Sequence, residues 1–464
     1  VLWQVVDKVE SVRSLTVVEK LTSKSAPDYP TITPDDLCFL QYTSGSTSVP
    51  KGVMVTHAAL VANVKGISEH FKLDPHHDTA LAWLPLYHDM GLIGFVLSTM
   101  VWGFNSVLIP TLRFLKRPNT WLETIHETRA TITFCPPFAL PLAVRRAREE
   151  DLERWDLSSL HTVGVGAEPI HPEGCRGFTE LFSTRCGLSE NAVGPAYGMA
   201  EATLAISLKE RGTPLRTRFV DADVFTETGR VVEPSGDDPN VAEHVSCGIW
   251  FPAHEVRVVH PETGEVLGEL QEGELCVAGP SVTPGYFQNE EATAGSFRDG
   301  WLHTGDLGYV ADGEVYVTGR MKDLIILNGR NIHPQSIEWV VNELEGVRKG
   351  NVVAFSVPGD DTELVIVAIE VRPEADRDAL PGTVREAVTS ALGIPVEEIV
   401  LLDANLLPKT SSGKLQRRKT RQYYLSGVLG QTGSRQKGGS ADKVTLARHV
   451  ARSAWARLKN NLKR

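Results

Sequence analysis

The chain of 464 residues lacks any long hydrophobic run. The longest, "MGLIGFVLSTMVWGF" from Met90 to Phe104, is too short to cross a bilayer. Its six cysteines, at 38, 135, 175, 186, 247 and 276, include no C-x-x-C pair and mostly sit in apolar settings such as "TFCPPF". That spacing argues against a disulfide framework or a metal knuckle and favours buried, reduced thiols in a cytoplasmic protein. No signal peptide and no internal repeat is legible. Positive charge is short overall: a net charge of -11 argues against a general nucleic-acid binder. The shortage is local, however. From Lys409 onward there are 15 Lys/Arg against one acid, Asp442, so the tail carries +14 and residues 1–408 carry -25.

Between residues 37 and 185, short β-rich runs ("LCFLQY", "TALAWLP", "SVLIP", "TITFC", "TVGVG") alternate with longer helical stretches. One helix is expected to start after Thr56, a good N-cap, and to run through "HAALVANVKGISEHF". The alternation predicts an α/β fold with a mainly parallel sheet. From about 245 to 318 strands and turns dominate, with Asp312-Gly313 expected at the tip of a hairpin. A small α+β unit follows "TGRMKD": strand "LIIL", a helix after Pro334, strands "NVVAFSV" and "LVIVAIEV", a helix near 383–391, and strand "EIVLL". A Gly/Ser/Lys linker then leads to a basic amphipathic helix at about 441–460, with Val444, Ala447, Val450, Ala451, Trp455 and Leu458 on one face.

The stretch "LQYTSGSTSVPKG", Leu40 to Gly52, is not a Walker loop, because Pro50-Lys51-Gly52 stands where Gly-Lys-Ser/Thr is required. It is nevertheless suited to phosphate. Thr43, Ser44, Ser46 and Thr47 offer hydroxyls, Gly45 lets backbone N–H groups converge, and Lys51 adds charge. The loop is expected to follow the first strand of an open α/β sheet, where such sheets place their ligands. A solvated Ser/Thr turn is the ordinary alternative for any one such segment.

Further motifs follow in order: "LPLYHDMGL" from Leu84, "GAEP" from Gly166, "YGMAEAT" from Tyr197, "WLHTGDLG" from Trp301, "TGRMKDLIILNGRNIHP" from Thr318 and "PKTSSGKLQR" from Pro408. Over roughly residues 37 to 421 the chain resembles the adenylate-forming superfamily of acyl-CoA synthetases, adenylation domains and luciferases. Within it the chain is most similar to the fatty acyl-AMP ligases. Ser48 replaces the usual glycine of the hydroxyl loop, "YHDMGLIG" and "NGRNIHPQSIE" have that branch's wording, and the stretch between Leu215 and Ser246 lies where those ligases carry an insertion.

The resemblance implies an ATP- and Mg2+-dependent enzyme. It would convert a fatty acid to its adenylate and hand the acyl group to an acyl carrier protein or polyketide synthase. It implies a large N-terminal domain at 1–320, truncated at its start, a small mobile α+β domain at 321–426, and a linker with basic helix at 427–464. Lys414 would bridge the attacking carboxylate and the α-phosphate, delivered by the flexible turn Ser411, Ser412 and Gly413; catalysis of this step is mostly positioning and charge neutralisation. Glu201 would hold Mg2+, a hard cation that prefers oxygen. Tyr197 would stack on adenine, with Gly198 and Met199 beside it and Gly166, Ala167 and Glu168 lining the base. Asp306 would accept from both ribose hydroxyls, and Arg320 would donate to ribose or phosphate oxygens. His88 would position or gate the acyl carboxylate, and Lys322 would mark the hinge.

Each of these residues has an ordinary structural alternative: a core tyrosine, a turn aspartate, a helix-start acid, a surface lysine. Two rival functions stay open, a fatty acyl-CoA synthetase and a non-catalytic nucleotide- or acyl-binding fragment. For the basic end, a solvated tail ranks first, docking of an acidic carrier protein second and contact with an anionic membrane third.

Overall fold

The computed structural model describes residues 30–43, 50–236, 240–327, 330–359, 362–410 and 413–431. Thr33–Leu429 form one compact unit. Ser44 to Val49 of the hydroxyl loop, Ser411 and Ser412, and the helix expected at 441–460 lie outside the described residues.

The unit opens with strands β1 (Leu37–Thr43) and β2 (Lys51–Thr56), then the helix His57–Phe71. Five mutually parallel strands follow: β3 (Thr79–Ala82), β4 (Asn105–Leu108), β5 (Ile132–Cys135), β6 (Thr162–Val165) and β7 (Val193–Gly198). Strand β8 (Ala205–Leu208) turns back antiparallel to β7. Strands β9 (Thr217–Asp221) and β10 (Val241–Val245) form a separate ribbon, and β11 (Ile249–Trp250) completes the main sheet in the order β11-β8-β7-β6-β5-β3-β4. The expected parallel sheet is present. A parallel sheet is covered on both faces, which is why β6 is buried at every position although it begins with Thr162. The helix after Thr56 is also as expected, with Thr56 Oγ1 accepting from the Ala59 N–H at 3.1 Å. The core beneath holds Trp83 stacked on Phe114 at 3.6 Å, with the fully buried Trp121 edge-on to both.

One expectation is corrected. The hydroxyl loop does not follow a strand of the parallel sheet. It joins β1 and β2, an antiparallel pair closing at Thr43 opposite Lys51. The connection from 44 to 50 is too short for the crossover of about a dozen residues that a parallel pair needs, so only a hairpin can close it.

The β-rich part contains β12 (Glu255–Val259), β13 (Gly273–Ala278), β14 (Phe297–Arg298), β15 (Trp301–Ala311) and β16 (Glu314–Arg320), in the order β12-β13-β15-β14 with β16 on β15. Asp312 (φ 54°) and Gly313 (φ 74°) form the two-residue turn between β15 and β16, where the Asp-Gly pair predicted it. The C-terminal α+β part carries the hairpin β17 (Ile325–Leu327) and β18 (Arg330–Ile332), the helix Pro334–Asn342, antiparallel β19 (Val347–Pro358) and β20 (Glu363–Val371), the helix Leu380–Leu392, β21 (Glu398–Leu402) parallel to β20, and the helix Arg417–Leu425. It has its own apolar core, including Ile337, Val341, Val367 and Val384. No helix among the described residues is long and apolar enough to cross a membrane. The six thiols are free; five are buried and Cys38 is half-buried.

Candidate active site

Asp306 occupies the centre of a polar network on β15. One carboxylate oxygen accepts from the Tyr197 hydroxyl at 2.9 Å, the other from Arg320 Nε at 3.0 Å. Tyr197 comes from the end of β7, at the C-terminal edge of the parallel sheet, where open α/β folds collect ligand-binding residues. Burial, with the Asp306 carboxylate beside it, pushes the Tyr197 phenol well above its usual range, so the hydroxyl stays a donor. Gly198 follows because a Cβ there would sit 1.9 Å from the Leu204 carbonyl oxygen. Met199 is half-buried and packs on the cluster that includes Tyr197. The Arg320 side chain is 59% exposed on one side of this network, and Asp306 raises its already high pKa.

Glu201 sits on the short turn Ala200–Ala202. Its Oε1 accepts from the Tyr286 hydroxyl at 2.8 Å, and its backbone carbonyl accepts from the N–H and the hydroxyl of Thr283. Burial raises its carboxyl above the ordinary range, with the Tyr286 bond pulling the other way. Glu201 makes no ion pair among the described residues, with Arg320 acting on it only at longer range, so a cation beside it would stabilise its buried charge further. Two residues on, the buried Thr203 has φ 69°, an outlier for a β-branched residue, held by its hydroxyl bond to the Ser281 carbonyl at 2.7 Å. Lys51 Nζ lies 4.5 Å from the Tyr286 ring centre, and Gly52 accepts from the Phe287 N–H. The base of the hydroxyl hairpin is thereby docked against the residue that holds Glu201. Thr43, half-buried, ends β1 opposite Lys51.

The third group surrounds Lys414. Burial lowers its ammonium pKa, Glu168 and Asp89 oppose that shift, and Arg320 adds to it. Glu168 is raised by burial, with Lys414, Lys409 and His88 pulling down. It follows Gly166, whose Cβ would meet the Ala196 carbonyl at 2.7 Å, and Ala167, which takes φ 72°. His88 Nδ1 lies 2.6 Å from Asp89 Oδ1, and Asp89 also accepts from the Met90 N–H at 2.7 Å. Burial raises the Asp89 carboxyl, but His88 and Lys414 outweigh it and leave the group low. Lys414 rides a tight turn: Lys409 pairs with Leu415, and the Lys414 N–H donates to Thr410 Oγ1 at 3.0 Å.

Lys322 is exposed on the turn Met321–Asp323. Two side chains beside these positions escaped the motif-based assignment. Arg417 donates Nη1 to Asp323 at 2.8 Å, Nη2 to both oxygens of Glu338 and Nε to the Ala354 carbonyl. Burial opposes its charge, yet the two carboxylates more than compensate and raise its pKa. Arg417 therefore ties the lysine turn to the turn that bears Lys322. Its signal is the last letter of "PKTSSGKLQR", which in sequence reads as part of a basic tail. Asp89 was passed over beside His88.

The stretch between Leu215 and Ser246 also acquires a location. Asp223, on the helix Ala222–Thr228, pairs with Arg330 of β18 at 2.9 Å, and Phe225 stacks on His333 with ring centres 6.0 Å apart. His333 Nε2 lies 3.1 Å from Glu272, which is also bonded by Thr318.

A family model for AMP-binding enzymes matches residues 3–287. The chain belongs to the AMP-binding enzyme family. Within it, this AMP-binding enzyme is 41% identical over 418 residues to a Caulobacter vibrioides protein named "Putative acyl-CoA synthetase", covering 89% of this chain and 73% of that one. It is 36% identical over 423 residues to the Moorena producens medium-chain-fatty-acid–[acyl-carrier-protein] ligase JamA, covering 88% and 71%. A solved structure from work on fatty acyl-adenylate ligases of E. coli and L. pneumophila superposes with a TM-score of 0.81 at 37% identity, covering 86% of this chain and 72% of that one. The resemblance to fatty acyl-AMP ligases read from the motifs is borne out.

Proposed function

We propose that this AMP-binding enzyme joins a fatty acid to AMP with release of pyrophosphate, then passes the acyl group to the phosphopantetheine thiol of a carrier protein and releases AMP. The observation that carries the residue assignments is the hydrogen-bonded chain Tyr197–Asp306–Arg320. Arg320 bonds Asp306, which bonds Tyr197, and the same guanidinium lies close enough to act on Glu201 and Lys414, so residues spread from 197 to 414 meet around it. A carboxylate attacking the α-phosphate of ATP needs a cation between two anions, a grip on the sugar, and neutralisation of the leaving pyrophosphate. In this reading Lys414 is the bridging cation. Asp306 takes the ribose hydroxyls, exchanging its bonds to Tyr197 and Arg320, and Arg320 turns to ribose or phosphate oxygens. Tyr197 and the segment Gly166 to Glu168 border the adenine, with Gly198 and Met199 alongside. Lys51 and the hydroxyls from Thr43 to Thr47 hold the β,γ-phosphates. His88, kept in place by Asp89, positions the acyl carboxylate.

Glu201 fits Mg2+, since it is a buried oxygen donor with no ion pair among the described residues; when bound, that ion would supply charge neutralisation at the phosphates. The chain divides near residue 320, and the part from 321 to 426 swings at Lys322 between the two half-reactions. The thiols point to the cytoplasm as the compartment.

The rival acceptor is CoA, the acceptor in the name of the Caulobacter protein, whereas the name of JamA gives an acyl carrier protein. The insertion favours the carrier. Asp223 and Phe225 grip Arg330 and His333, on the far side of the hinge, and so restrain the rotation that admits CoA. One reaction tests both readings: ATP, Mg2+, a fatty-acid panel, CoA and a holo carrier protein, followed by mass spectrometry. Acyl-AMP and acyl-carrier without acyl-CoA are expected. Acyl-CoA as the main product would move the protein to the synthetase branch, and no adenylate at all would leave the non-catalytic fragment.

A further inference from the structure

We propose that Glu274 is a positioning residue for nucleotide recognition, acting on the ribose-binding Asp306 through the backbone of β15. The inference rests on the reading of Asp306 as the acceptor of the ribose hydroxyls.

The argument starts from strand register. Along β13 and β15, Glu274 faces Leu307 and Cys276 faces His303. Leu275 alone therefore stands opposite Thr304, Gly305 and Asp306. An antiparallel ladder normally sets one residue against one, so β15 carries a bulge, and bulges re-aim side chains at the cost of unpaired backbone groups. Those groups are taken up by side chains. The Thr304 hydroxyl donates to the Leu275 carbonyl at 2.7 Å and accepts from the Asp306 N–H at 3.0 Å. The Gly305 N–H donates to Glu274 Oε1 at 3.0 Å. Gly305 itself takes φ 71°, the left-handed conformation that glycine enters without strain.

Glu274 is buried and held on its second oxygen too, where His303 Nδ1 lies at 2.7 Å and Arg298 Nη2 at 4.0 Å. Both oxygens are committed, so the carboxylate cannot swing away from Gly305. A buried carboxylate held at both oxygens is a rigid strut, and its one link forward is the peptide that precedes Asp306. The donor atoms of Glu274, Cys276 and His303 lie within 4.8 Å of one another, a spacing that would also suit a metal. The nearby guanidinium of Arg298, and a Cys276 thiol pushed up to about 12 by burial and by Glu274, favour the protein-only network.

The readout is discrimination between ATP and its 2′-deoxy and 3′-deoxy forms in adenylate formation, with kcat and KM measured separately on the full chain. Hydrogen bonds to a charged acceptor support roughly 10- to 100-fold preference for the intact ribose. E274A should lose most of that preference and raise KM for ATP more than it lowers kcat, whereas E274Q, which still accepts from Gly305, should keep it within about threefold. Should E274A not fold, E274D retains the charge but withdraws the carboxylate from Gly305 and is expected to lose the preference likewise. D306N separates the two claims. If D306N loses the preference and E274A or E274D keeps it, the role of Glu274 is overturned and the ribose reading stands. If D306N discriminates like the unaltered chain, the ribose reading itself falls.

Discussion

At Asp306 the site is built from side chains already bonded within the chain: Tyr197, Arg320 and, through Gly305, Glu274, all on strands of two packed sheets. At Lys414 the catalytic candidate projects from a turn on the C-terminal part, and one side chain, Arg417, connects that turn to the turn that bears Lys322. On the proposed reading, the difference follows from the work each half would do. A ribose and an adenine arrive in one shape and reward a rigid receptor, because a pre-bonded group loses little freedom on binding. On that reading, a lysine needed for one half-reaction and absent for the next would be carried on something that moves. The preformed half would gain precision, and the delivered half would depend on Arg417 as its lever.

The largest expected effect breaks that lever. Arg417→Ala leaves Asp323 and Glu338 without their partner, and removing one member of a buried ionic cluster costs about 3–5 kcal/mol. Chemical denaturation should show that loss, and Arg417→Lys should recover only part of it, because an ammonium cannot make the fork to Glu338. Next comes Lys414→Ala. Deleting one charge aimed at the transition state costs roughly 10²–10³-fold in rate, so pyrophosphate exchange should collapse while ATP binding, measured by calorimetry, is retained. Unchanged turnover would remove Lys414 from the mechanism.

A third effect sharpens the contrast from the 215–246 stretch. His244 is held near pKa 4 by burial and by His333, with Glu272 opposing. An unfolded histidine titrates near 6.5, so between about pH 6.5 and 4 the unfolded chain binds the extra proton. Stability from this group is complete above that window and falls as pH drops through it, by up to about 3 kcal/mol. A denaturation series across this window should slope for the native chain and flatten in His244→Gln. The smallest effect concerns the exposed latch. Arg330→Ala removes a surface ion pair and should change stability by no more than about 1 kcal/mol. If the insertion restrains the hinge, it should nevertheless raise the fraction of acyl-CoA among the products.

Much of this was legible beforehand, for identifiable reasons. "TVGV" and "ITFC" announced buried parallel strands because a strand covered on both faces needs no polar alternation. Asp312-Gly313 announced its turn because few other pairs accept two positive φ angles. Strand β2 was not legible: "KGVMVT" runs straight into a helix, and only its pairing with β1 reveals a strand. The helix Arg417–Leu425 was hidden as well. "RRKTRQYYL" buries only Thr420, so it has no apolar stripe to betray its period.

By itself the sequence determined the chemistry on offer: which side chains are present, in what local turns, and the order of motifs that places the chain among AMP-binding enzymes. Tertiary structure alone decided which of them meet. Tyr197 and Asp306 are 109 positions apart and share a hydrogen bond, and Arg417 reaches Asp323 across 94. Glu274 reaches Gly305 across 31. Local pattern reports backbone preference and burial, both short-range properties. The pairing of two polar groups is settled by strand register and sheet packing, where a bulge in β15 or a hairpin at β1 and β2 moves every later contact.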